Sequence, residues 1–186
     1  SALRSRRGKQ YDFKTRTKSD RHRFMRGRLE VVKGSDHDES LPRATAVTIS
    51  ACGNFGIVGN SHGGINRYNM QSGMLRGQYP MELAEGEDET HSETIRGLAV
   101  DNLNRVLVSA GLDGVLAFWD FSSHKLAERI DVGSPISMLR LHRDSGLLVV
   151  TTDDFKALVY DMSTRTLVRR FTGHTNRLLR ASSGQK

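Results

Sequence analysis

Three segments of this chain end the same way, on Tyr68-Asn69, Trp119-Asp120 and Tyr160-Asp161, and each pair closes an alternating apolar run that follows a tight polar turn. The aromatic positions lie 51 and 41 residues apart, so the chain carries an internal repeat whose first interval is lengthened by an insertion. A repeat of this kind limits the fold severely, because each unit must bury its apolar face against the next one.

Within each unit the pattern predicts four short strands. The second unit reads Ile95 to Val100, Val106 to Ala110, Val115 to Trp119 and Lys125 to Ile130, separated by turns at Asp101 to Arg105, Gly111-Leu112-Asp113-Gly114 and Phe121 to His124. The third reads Ile136 to Leu141, Leu147 to Thr151, Lys156 to Tyr160 and Thr166 to Phe171; the first reads Ala46 to Ile49, Phe55 to Gly59, Ile65 to Tyr68 and Met74 to Tyr79. Gly, Asn, Asp and Ser at regular spacing supply the positive φ angles of hairpin turns and argue for antiparallel sheet. A period of roughly 40 to 45 residues with a Trp-Asp dipeptide marks the blades of a WD-repeat β-propeller. The runs Val106-Leu107-Val108 and Leu147-Leu148-Val149-Val150 are apolar on both faces, as a blade packed between two neighbours requires.

The expected fold is therefore all-β: a WD-repeat β-propeller fragment of about three complete four-stranded blades plus the end of a preceding blade. The blades occupy 44–79, 95–131 and 135–172 within a repeat region 44–174, with an acidic insertion at 80–94, a basic, weakly structured arm at 1–43 and a tail at 175–186. Closed propellers usually need about four to eight blades, so three repeats read as an internal slice of a larger protein. Gln10-Tyr11-Asp12-Phe13 sits where an earlier blade would end, and Gly173-His174 is the dipeptide that usually opens a following one.

The net charge of +7 divides unevenly. Residues 1–33 hold 12 Lys or Arg against 3 Asp or Glu, a balance of +9, whereas the remainder carries 16 against 18, a balance of −2. Arg4, Arg6, Arg7 and Lys9, with the later stretch Lys14 to Arg28, can contact phosphates by releasing counterions; a solvated segment is the plainer reading. Tyr11, Phe13 and Phe24 are either stacking groups within that arm or relics of the preceding blade. At the opposite pole, Glu82, Glu85, Glu87, Asp88, Glu89 and Glu93 stand in one stretch without Lys or Arg. They lack calcium-loop spacing and fit a self-repelling surface loop better than a metal site, with docking of a basic partner as the functional alternative.

Enzymatic readings find little support. His142-Arg143-Asp144 resembles the start of a kinase catalytic loop, but no β3 lysine motif, phosphate loop or Asp-Phe-Gly accompanies it, and a turn in which Asp144 and Gly146 act is expected. Gly59-Asn60-Ser61-His62-Gly63-Gly64 lacks the Lys-Ser/Thr ending of a phosphate loop and reads as a hairpin. Asp153-Asp154 falls in a turn, where capping of backbone amides is expected. Cys52 is the only cysteine, which excludes an internal disulfide and a CxxC metal pair. No run approaches the ~20 apolar residues of a membrane span, and the charged start does not resemble a secretory signal. No catalytic, cofactor-binding or metal-binding residues are assigned, and no small-molecule substrate is expected.

The resemblance to WD-repeat blades implies a hydrogen-bonded structural tetrad in the second blade: His91 before the first strand, Ser109 on the second, Asp113 in the hairpin turn and Trp119 on the third. A buried indole N–H needs a partner, and a chain of such bonds fixes blade geometry. The neighbouring blades depart from that pattern, with Gly63 and Asp154 at the position of Asp113, Gly59 and Val150 at that of Ser109, and Tyr68 and Tyr160 at that of Trp119.

The wording of the repeats is more specific still. Ala44 to Phe55, Tyr68-Asn69-Met70-Gln71-Ser72-Gly73, Arg96-Gly97-Leu98-Ala99-Val100-Asp101 and Leu141-His142-Arg143-Asp144-Ser145-Gly146-Leu147, in that order, resemble the tandem-propeller WD-repeat subunit of the UtpB module of the small-subunit processome. Residues 1–43 and 175–186 depart from it. The resemblance implies a non-catalytic scaffold of the nucleus and nucleolus that acts in pre-rRNA processing and small ribosomal subunit biogenesis. Its implied partners are other UtpB-module WD-repeat proteins and the pre-ribosomal RNA-protein particle, with no membrane. Function should then reside on exposed turns and insertions, and the loop Glu82 to Glu93 and the basic arm are the expected contact elements. A WD-repeat adaptor of a ubiquitin-ligase or signalling complex would share the fold and recover other partners.

Overall fold

The computed structural model describes residues 42–80 and 91–173. They form twelve strands in three four-stranded antiparallel sheets, each ordered as its strands follow in the chain. The first blade comprises β1 (Ala44–Ile49), β2 (Phe55–Asn60), β3 (Ile65–Asn69) and β4 (Leu75–Tyr79). The second comprises β5 (Ile95–Val100), β6 (Val106–Gly111), β7 (Val115–Asp120) and β8 (Leu126–Asp131). The third comprises β9 (Ile136–His142), β10 (Leu147–Thr152), β11 (Ala157–Asp161) and β12 (Leu167–Phe171). The strands meet the sequence expectation within about two residues at each end. Residues 1–41 of the arm, residues 81–90 of the acidic insertion and residues 174–186 lie outside the described residues.

The side-chain alternation of a strand explains how one blade feeds two cores. On blade two, Leu107, Ala117 and Trp119 point one way and join Ile57, Ile65 and Tyr79 of blade one. Val108, Ala110, Leu116 and Phe118 point the other way and join Ile136, Leu148, Val150 and Tyr160 of blade three. Blade two is consequently apolar on both faces and buried on both. Val47 on β1 is 72% exposed, because its face of blade one has no described neighbour, while the equivalent Leu139 of blade three is buried against Gly97 of blade two.

The aromatic-Asx pair that marks each repeat has a local reason. The aromatic residue flanks a β-bulge between the third and fourth strands of each blade, at Arg67/Tyr68, Phe118/Trp119 and Val159/Tyr160. The residue after it caps the next turn. Asp120 Oδ1 accepts from the amides of Ser122 and Ser123 at 3.1 and 2.7 Å and from the Ser123 hydroxyl at 2.8 Å. Asn69 Oδ1 does the same with Gln71 and Ser72, and Asp161 Oδ1 with Ser163 and Thr164. Each turn then closes through an amide in a left-handed conformation, at Gly73, His124 or Arg165.

The Ser123 bonds hold the Asp120 carboxyl below its ordinary range. Because the carboxylate is exposed and screened by solvent, losing these bonds in Asp120→Ala should cost at most about 1 kcal/mol in denaturant unfolding at neutral pH. Because the folded value is depressed, this contribution is present above the ordinary carboxylate range and fades as pH falls through the folded value. An unchanged unfolding midpoint at neutral pH would show that the neighbouring backbone bonds hold the turn unaided.

Candidate functional site

Equivalent backbone bonds fix which residues correspond between blades. The amides of Ser61, Leu112 and Asp153 donate to the carbonyls of Arg43, Thr94 and Pro135 at 2.8 to 2.9 Å. It follows that Gly63, Gly114 and Phe155 are equivalent, and all three have φ between 63 and 83°. The counterpart of Asp113 in blade one is thus His62 rather than Gly63, and that of Ser109 is Val58 rather than Gly59. Two adjacent glycines, Gly63 and Gly64, make the sequence alone read one residue too far along in that turn. In blade three the counterparts are Asp154 and Val150, as expected from the sequence.

The second hairpin turn and its flanking strands bring His91, Ser109, Asp113 and Trp119 together. Trp119 Nε1 donates to Ser109 Oγ at 2.9 Å, and Ser109 Oγ lies 2.7 Å from His91 Nε2. His91 Nδ1 lies 3.0 Å from Asp113 Oδ2. An indole nitrogen can only donate and a carboxylate only accept. With the His91 imidazole neutral, the chain closes with the Ser109 hydroxyl donating to Nε2 and the ring proton on Nδ1. Asp113 also accepts from the amides of Ser92 and Val115, both at 3.0 Å. Burial pushes the Asp113 carboxyl up, but the His91 contact and those two amides outweigh it and hold the group below its ordinary range.

A Ser-His-Asp sequence of hydrogen bonds invites comparison with a nucleophilic triad. Here the hydroxyl is fully buried and receives the Trp119 indole, whereas a nucleophile needs an exposed oxygen beside a site for the substrate carbonyl. What this arrangement does chemically is consume its own donors and acceptors, locking β6, β7 and the turn between them to the segment that enters the blade.

The remaining turns are held differently. In blade one Asn60 Oδ1 accepts from the amides of His62 and Gly64, both at 2.9 Å, so a side chain two residues earlier performs the capping that Asp113 performs in blade two. In blade three Asp154 does not cap backbone amides, contrary to expectation. Its carboxylate takes the Thr152 hydroxyl and the Lys156 ammonium instead. In the His142 to Gly146 turn, the side-chain bond comes from His142 Nδ1 and Ser145 Oγ at 2.8 Å rather than from Asp144, while the Gly146 amide donates to the His142 carbonyl at 3.0 Å.

Several side chains tie one blade to the next, and none was expected from the sequence. Thr45 Oγ1 donates to the Ile95 carbonyl at 2.7 Å, Thr94 Oγ1 to the Ser61 carbonyl at 3.1 Å, and Asn102 Nδ2 to the Arg143 carbonyl at 2.8 Å. Asn104 Oδ1 accepts from the Ala51 amide at 2.7 Å. Repeat alignment offers the only sequence signal: Asn104 follows Asp101-Asn102, where turn residues cluster.

A cleft of about 370 Å³ opens between blades one and two, walled by Asn60, His62, Asn66, Gln78, Tyr79, His91 and Trp119. Its two ring walls on blade two, His91 and Trp119, already spend their nitrogens in the tetrad. Among the described residues no three His, Cys, Asp or Glu side chains converge as metal ligands, and no helix is long and apolar enough to cross a membrane. Glu82, Glu85, Glu87, Asp88, Glu89, Arg4, Arg6, Arg7 and Lys9 lie outside the described residues.

The chain matches the family model of the WDR36/Utp21 second beta-propeller domain over residues 9–183. It is similar to human WD repeat-containing protein 36, with 43% identity over 135 residues that cover 73% of this chain and 14% of the relative. It is similar also to the U3 small nucleolar RNA-associated protein 21 homolog of Schizosaccharomyces pombe, with 41% identity over 72% of this chain and 14% of the relative. The Saccharomyces cerevisiae U3 small nucleolar RNA-associated protein 21 is 39% identical over 72% of this chain and 13% of the relative. The chain thus spans about one seventh of the length of these relatives. Among solved structures, that of U3-55K has a TM-score of 0.66 at 16% identity and covers 78% of this chain and 42% of that one, a likeness of fold alone.

Proposed function

This chain belongs to the WDR36/Utp21 second β-propeller domain family, and from that membership we propose that it is a non-catalytic scaffold of the small-subunit processome, acting in pre-rRNA processing and small ribosomal subunit biogenesis in the nucleolus. The family match across residues 9–183 carries this reading, supported by relatives whose names associate them with U3 small nucleolar RNA. The geometry agrees with it physically. The tetrad and the inter-blade bonds spend His91, Ser109, Trp119 and Thr45 on holding the blades, which leaves exposed turns and insertions to meet partners. The partners are other WD-repeat proteins of the UtpB module and the pre-ribosomal particle.

Affinity purification of the full-length protein from cell extract, with RNA sequencing and protein identification on one eluate, tests this reading. Enrichment of pre-rRNA, U3 RNA and UtpB subunits is expected. Recovery of a ligase or signalling complex without that RNA would overturn it and favour a WD-repeat adaptor.

Contact residues follow from charge. The acids Glu82, Glu85, Glu87, Asp88 and Glu89 suit a basic protein surface, and Arg4, Arg6, Arg7 and Lys9 suit phosphates. Replacing the five loop acids by Ser should reduce partner recovery at least several-fold and weaken its salt dependence. Unchanged recovery at both low and high salt would remove the loop from the interface.

A further inference from the structure

The joint between blades one and two contains a buried imidazole that no hydrogen bond accounts for. His124 closes the β7–β8 turn with φ 61° and is 2% exposed. Neither of its ring nitrogens has a hydrogen-bond partner among the described residues. The ring crosses to blade one, where its centroid lies 4.5 Å from that of Tyr79. It fills the space above Gly77, where a Cβ would stand 2.2 Å from His124 Cε1.

The groups around the ring disfavour a second positive charge. From β3, Arg67 donates to the Phe121 carbonyl at 2.6 Å, with its guanidinium 4.8 and 5.2 Å from the Phe55 and Phe121 ring centroids. Among the described residues no carboxylate pairs with Arg67. From β4, the Tyr79 hydroxyl donates to the same Phe121 carbonyl at 3.0 Å. Of the charged groups around the ring, Asp120, at the head of the turn that carries His124, favours a cation there, and its Oδ1 already accepts three bonds.

From this arrangement we propose that His124 is a pH-sensitive latch between blades one and two, which holds the joint while its ring is neutral and releases it on taking up a proton. Burial first, and the Arg67 charge second, push the His124 pKa down, Asp120 opposing them. A histidine whose folded pKa is depressed leaves stability intact above the ordinary value of about 6.5. Below that pH the unfolded chain binds a proton that the folded chain refuses, and stability falls until the folded value is passed. The reading is independent of what the blades bind.

Titration of the His124 ring by NMR in the full chain is the direct test, paired with unfolding of the wild type and His124→Phe between pH 7 and 5. Phe keeps a ring for Tyr79, and Phe155 shows that such a residue adopts φ near 60° in this fold. The ring should titrate clearly below about 6.5, and the wild-type unfolding constant should rise by up to about tenfold per pH unit beyond any rise in the variant. Titration of His124 at or above its ordinary value would overturn the proposal, as would equal pH slopes. Should His124→Phe not fold, the wild-type titration decides alone.

Discussion

Trp119→Ala is expected to cost about 3–5 kcal/mol, the largest loss of any single truncation in the described fold. The indole is fully buried in the joint between blades one and two, where its ring packs edge-on to Tyr79 at 5.8 Å between centroids. Two losses add: the apolar contact of a large ring and the donor that satisfies Ser109. Companion variants separate them. Trp119→Phe keeps most of the contact and leaves Ser109 with one neighbour fewer, at about 1–3 kcal/mol. Ser109→Val leaves both Trp119 Nε1 and His91 Nε2 without partners inside the core. It should cost at least as much as Trp119→Phe, although Val150 occupies the same position in blade three, because Tyr160 stands there in place of Trp119 and no buried histidine beside it needs a partner. Denaturant unfolding at fixed pH measures all three. A loss under about 1 kcal/mol for Trp119→Ala would mean that blade two is held by its neighbours rather than by its own tetrad.

The strands were legible because strand alternation, turn residues and the aromatic-Asx ending all recur, so each blade corrects the reading of the others. The tetrad does not recur, so repetition could not reveal it; the resemblance to WD-repeat blades alone pointed to His91, Ser109, Asp113 and Trp119, which hydrogen bonds link in blade two. Blade one slipped by one residue where Gly63-Gly64 offered two candidate positions and no carboxylate to decide between them. Contacts between blades were illegible. Arg67 to the Phe121 carbonyl and Asn104 to the Ala51 amide each span more than 50 residues and follow no period. The left-handed residues show the limit most clearly. His124 and Arg165 occupy the place of Gly73, and Phe155 that of Gly63 and Gly114, so the conformation belongs to the turn while the side chain is free to acquire a local task. His124 uses that freedom to reach Gly77; Arg165 uses it to reach Glu128 at 3.3 Å and the Phe118 ring. Composition carries no trace of either.

Gly63→Ala should be the most costly of the small additions, at about 2–4 kcal/mol. Two effects combine. Its φ of +83° is disfavoured for any L side chain by about 1–2 kcal/mol. Its added Cβ would also stand 2.2 Å from the His91 carbonyl oxygen and 2.8 Å from the carbonyl carbon. Overpacking of this kind typically costs about 1–3 kcal/mol, and here the obstacle is main chain that cannot rotate away. The displaced residue is also the first member of the tetrad, so the shift would propagate through Asp113 and Ser109 to the indole of Trp119. Gly133→Ala is the control, since Gly133 has φ 80° and nothing within 4 Å of its added Cβ. It should lose only the conformational part, about 1–2 kcal/mol. Trp119 is the sole tryptophan of the chain, so its emission reports the tetrad directly. Gly63→Ala should shift that emission toward the wavelength of an exposed indole in the folded protein, and Gly133→Ala should not. Equal losses with unchanged emission would mean that the entry of blade two yields without disturbing its tetrad, and that the bond network rather than the close approach at Gly63 sets the joint.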